Sequence, residues 1–137
     1  MRRTLVIALL LVTGTSAVAL AELFGPLGKV MHSMMQDLDC LEDPSDFLCD
    51  GTDGKDLVAD MITQAQTLHD NPAWVTNLPL VKPADAAAVV TKAQELLDLL
   101  KELQVAVESK DKAKQASLLK SIEAVKKAAH AAFKAKH

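Results

Sequence analysis

Two side chains near opposite ends of the chain are of types that ligate transition metals: the thioether of Met31 and the imidazole of His130. Methionine sulfur and neutral imidazole, one on each face, form an axial pair for haem iron, the sulfur raising the reduction potential. His130 lies in Lys126-Lys127-Ala128-Ala129-His130-Ala131-Ala132-Phe133-Lys134, where the alanines leave room for a flat macrocycle to approach the backbone. At about 100° per helical residue, His130 falls within roughly 60° of Leu119 and Phe133, on a flank of the apolar face. Met34 and Met35 offer alternative sulfurs. The run Met31-His32-Ser33-Met34-Met35 also has donors that suit cuprous copper, although on a helix His32 points about 100° away from Met31.

Bringing Met31 and His130 together is a task for the elements between them. Leu27, Met31, Met34, Leu38 and Leu41 follow a 4-3-4-3 spacing, which predicts a helix at 23–42. Pro44, Asp50, Gly51, Asp53 and Gly54 break it, and Leu57, Met61, Ala65 and Leu68 mark a second helix ending near Asn71-Pro72. A third begins after Pro83 with the stripe Val89, Ala93, Leu96, Leu100, Leu103 and Val107; a fourth turns Leu118, Ile122, Val125, Ala129 and Phe133 inward.

Four amphipathic helices with mostly short connections, and no β-alternating run, predict an all-α, antiparallel up-down-up-down four-helix bundle. In that topology the start of helix one, the end of helix four and the loop 71–83 with Trp74 share one end. Met31 lies about 14 Å in from Glu22 and His130 about 10 Å in from His137, so their depths roughly match. Met31 is the favoured sulfur because it lies nearest that end.

Arg2-Arg3, the apolar run Leu5–Val12 and the close Ala19-Leu20-Ala21 have the layout of a secretory signal peptide over 1–21, and the apolar run falls short of the ~20 residues of a spanning helix. Residues 22–137 then make one domain, periplasmic, not held in a membrane after cleavage and expected to be a monomer. Both arginines fall in the leader, so 13 lysines stand against 18 acids, a net charge of −5 that disfavours nucleic acid as a partner. The charge is segregated: residues 22–60 are acidic and residues 109–137 are lysine-rich, which could steer a redox partner protein. Cys40 and Cys49 are the only cysteines, and in an oxidising compartment they are expected to pair.

With these residues in place, the chain resembles the cytochrome b562 family. The resemblance runs through Leu27-x3-Met31-x2-Met34-x3-Leu38-x2-Leu41, through Lys55-Asp56-Leu57-Val58-Ala59-Asp60-Met61, and through Ala129-His130-x2-Phe133-Lys134. It implies one noncovalent haem b held by Met31 and His130, with Phe133 beside it and Lys126, where the family has an arginine, reaching a propionate. In the related cytochrome c′ frame Lys126 and Ala129 occupy the two cysteine positions of Cys-x2-Cys-His, so thioether attachment is excluded. The family's aromatics near the start of helix three have no counterpart among Ala88, Val89, Val90 and Ala93, and the cysteine loop is an addition.

The function expected from these readings is electron transfer without chemistry on a substrate. No nucleophile with a neighbouring base, no paired carboxylates on an apolar face and no Gly-rich phosphate loop argue for an enzyme. The alternatives are a haem-free copper-binding protein and a structural bundle.

Overall fold

The computed structural model describes residues 25–43, 49 and 53–134; the leader expected over 1–21 lies outside them. Among the described residues the chain is all-helical, in five helices that pack against each other: α1 (Pro26–Glu42), α2 (Gly54–Asp70), α3 (Ala73–Thr76), α4 (Ala86–Glu108) and α5 (Lys112–Ala132).

Local chemistry explains the boundaries. Gly25 adopts φ 58°, in the left-handed region that favours glycine, and hands over to Pro26, whose missing N–H is not needed in a first turn. The described part of the first helix therefore starts at Pro26. Three aspartates cap the other long helices: the Asp53 carboxylate accepts from the Lys55 N–H at 3.1 Å, Asp85 from the Ala88 N–H at 2.7 Å, and Asp111 from the Lys114 N–H at 3.0 Å. At the end of α4 the Lys110 N–H donates to the Val107 carbonyl and the Asp111 N–H to the Ala106 carbonyl, with Lys110 at φ 58°. That pair of bonds is a Schellman motif, which satisfies carbonyls that the helix end would leave unpaired.

The loop 71–85 holds an element that the spacing does not predict, the single turn α3, opened by the Trp74 N–H on the Asn71 carbonyl and the Val75 N–H on the Pro72 carbonyl. It closes one end of the molecule. Leu27 of α1, Val75, Leu80 and Val89 of α4 form a buried cluster there, with Leu68, Trp74 and Phe133 packed against it. The Val81 N–H donates to the Lys134 carbonyl at 2.7 Å, tying the chain beyond α5 to the loop. At the other end, the side chains of Leu41 and Val107 border Gly54, so the end of α1, the start of α2 and the end of α4 meet.

Packing runs in chain order, α1 on α2, α2 on α4 and α4 on α5, with α3 touching α1 and α4. The main core lies between these layers, around Val58, Met61, Leu97, Leu100, Leu103 and Ile122; each such side chain contributes about 1.5–3 kcal/mol by leaving water. Two stripes differ from their sequence reading. In α4 the buried positions are Leu97 and Ala106, with Leu96 and Val107 at the margin. In α1 Val30 is buried and Met31 is 38% exposed. A 3-4 spacing fits both sets in each helix, and the neighbours' positions choose between them. Helix α5 buries Leu118 and Ile122, while Val125, Ala129 and the C-capping Phe133 are half-buried.

Candidate functional site

Helix α1 presents three sectors. Ser33 faces α2, its hydroxyl donating to Asp60 at 3.2 Å. The Asp60 carboxyl is held below its ordinary value of 3.8, chiefly by a hydrogen bond with Asp37, with Ser33 and Gln64 adding to it and partial burial working against it. The next sector faces the core: Leu38 is buried and Met34 packs against the main cluster.

The third sector turns toward α5. Glu42 lines a groove of about 350 Å³ with Leu119, Lys120, Glu123, Ala124 and Lys127 of α5. At about 100° per residue, Met31 and Met35 lie within about 40° of each other and flank the direction of Glu42. The three methionines are thereby sorted. Met34 is a core side chain, whereas Met31 and Met35 sit on the flank that borders the seam.

The facing helix repeats the pattern. His130 lies within about 20° of the groove residues Leu119 and Glu123 around the α5 axis. Eleven residues separate Glu42 from Met31, and eleven separate Leu119 from His130; each interval spans about 16 Å of helix. Both walks lead to the same end, because Leu27, one turn before Met31, and Phe133, just after His130, belong to one apolar cluster. The principal packing pairs do not include α1 with α5. These two helices thus share few close backbone approaches, and the groove at Glu42 opens between them.

His130 is exposed, and its pKa is lowered from 6.5, first by desolvation and then by the Lys126 ammonium, with Glu123 opposing the shift. The shift favours the neutral imidazole, the form that ligates a metal. The Lys126 ammonium is engaged with Glu123 at 3.6 Å. Trp74 rests against the end cluster, half-buried, as a seal over the bundle's end.

Away from the seam, Cys40 and Cys49 are disulfide-bonded with Cα atoms 5.4 Å apart, as the sequence reading expects. They border a second pocket of about 300 Å³ with Asp37, Asp56 and Asp60. Among the described residues no three His, Cys, Asp or Glu side chains gather to hold a metal ion, and no helix is long and apolar enough to cross a membrane. What spacing alone missed is the sorting of the sulfurs and the exposure of Met31; the signal present was Val30, an equally good inward residue one position earlier. No family model, curated protein or solved structure matches the chain.

Proposed function

We propose that the chain is a small exported electron carrier whose helices form an antiparallel up-down-up-down bundle and whose α1–α5 seam binds one haem b noncovalently. The observation that carries this reading is the matched register of the two facing flanks. Equal walks from the groove residues Glu42 and Leu119 lead to Met31 and His130, and both donors are exposed instead of locked in hydrocarbon.

The residues fit the group. Met31 would offer the thioether and His130 the neutral imidazole, Phe133 an apolar wall, and Lys126 a cation for a propionate once released from Glu123. Bound haem supplies a one-electron iron couple. The chain's own contribution is to hold two donors at fixed depth, to seal the end with Leu27, Trp74 and Phe133, and to keep His130 unprotonated. Since both cysteines are in the disulfide, attachment is noncovalent. The lysines of α5 are the surface on which an acidic redox partner would dock.

Haemin titration of the purified protein tests the reading. A low-spin Soret band with narrow visible bands on reduction is expected; Met31→Ala then gives high-spin iron, and His130→Ala abolishes most binding. Low-spin iron retained in Met31→Ala moves the sulfur to Met35. A spectrum identical to free haemin overturns the proposal and leaves a structural bundle.

A further inference from the structure

Haem ligation would use one sulfur of α1, yet the helix carries a second thioether and an imidazole on the same exposed arc. We propose that Met31, His32 and Met35 form a site for a soft monovalent metal ion, cuprous copper, on α1. Met35 is four residues from Met31 and three from His32, and side chains so spaced have Cβ atoms about 5–6 Å apart. Around the axis Met35 falls between the other two, at about 40° from Met31 and about 60° from His32. The 100° that separates Met31 from His32 is therefore spanned by a third donor, and long flexible thioethers can converge on one ion.

The burial pattern supports this. Met34 is drawn into the core, while Met31 is 38% exposed and His32 and Met35 are half-exposed, so the three donors are reachable together. Donor chemistry selects the ion. Two thioethers and an imidazole prefer Cu(I) over zinc, calcium or magnesium. The chain has no free thiol, Cys40 and Cys49 being bonded to each other, so thioethers are the soft donors it has left. Asp39 lies one turn beyond Met35 on the same arc, and its negative charge opposes that of the bound cation. Binding changes no oxidation state.

This assignment does not rest on the haem reading, with which it shares only Met31. The test is anaerobic competition for Cu(I) supplied as its bathocuproine disulfonate complex, together with methyl NMR of the methionines. One equivalent withdrawn from the chelator is expected, with the methyl signals of Met31 and Met35 shifting and those of Met34 and Met61 staying in place. Met35→Leu and His32→Ala should each weaken copper binding about tenfold or more, and His130→Ala should leave it unchanged. His32→Ala, a position with no part in haem ligation, should leave the haemin spectrum unaltered, so that failure of one reading is separable from failure of the other. No withdrawal of Cu(I), withdrawal undiminished in Met35→Leu with helical circular dichroism intact, or dependence on His130 would each overturn the site.

Discussion

His130 shows how a single side chain's surroundings set its chemistry. Desolvation and the Lys126 charge disfavour imidazolium, so its titration midpoint, followed by the ring-proton NMR signal, should lie below 6.5, and Lys126→Gln should move it upward. The stability consequence has a definite sign. Between the lowered folded value and 6.5 the unfolded chain binds more protons than the folded one, so stability falls as the pH drops from above 6.5 through that window. Thermal melts of wild type and His130→Gln should diverge there and run parallel above it. At this scale the sequence was informative about donor types and less so about direction. Leu27, Met31, Met34 and Leu38 make a valid stripe, but so do Leu27, Val30, Met34 and Leu38. Only the packing of α1 against its neighbours, α2 above all, decides that Val30 goes in and Met31 out.

At the scale of elements, the helix ends carry the clearest energetic statement. Lys110 closes α4 in a left-handed conformation that a side chain with a Cβ adopts at a cost. Lys110→Gly keeps both bonds of the motif and relieves that cost, and should stabilise the protein by about 0.5–1 kcal/mol, read as a higher urea midpoint with unchanged slope. The breaks before α2 and after Pro83 were legible from proline, glycine and aspartate, whereas the capping by Asp53, Asp85 and Asp111 that sets the exact starts of α2, α4 and α5 emerges only in the structure. The turn α3 was not legible. Four residues between Pro72 and Asn77 are too few to show a helical period, and α3 is held by packing of Val75 into the end cluster.

For the whole molecule, the helical class follows from four long periodic segments, whereas which neighbours touch does not, since a period says only that a face is buried. The disulfide is an unfolded-state restraint with a sequence separation of 9; reducing it should lower stability by about 2.5 kcal/mol in chemical denaturation. If α5 docks an acidic redox partner as proposed, that association should weaken as salt is added. The seam has a kinetic side as well. Helix α5 buries just two side chains completely, relies on α4 for most of its support, and is moored beyond its end by Val81 and Lys134. Deuterium should therefore enter α5 amides sooner than those of α2 or α4, and sooner still in Phe133→Ala. On the haem reading proposed above, a tetrapyrrole would then enter from the side that α5 covers.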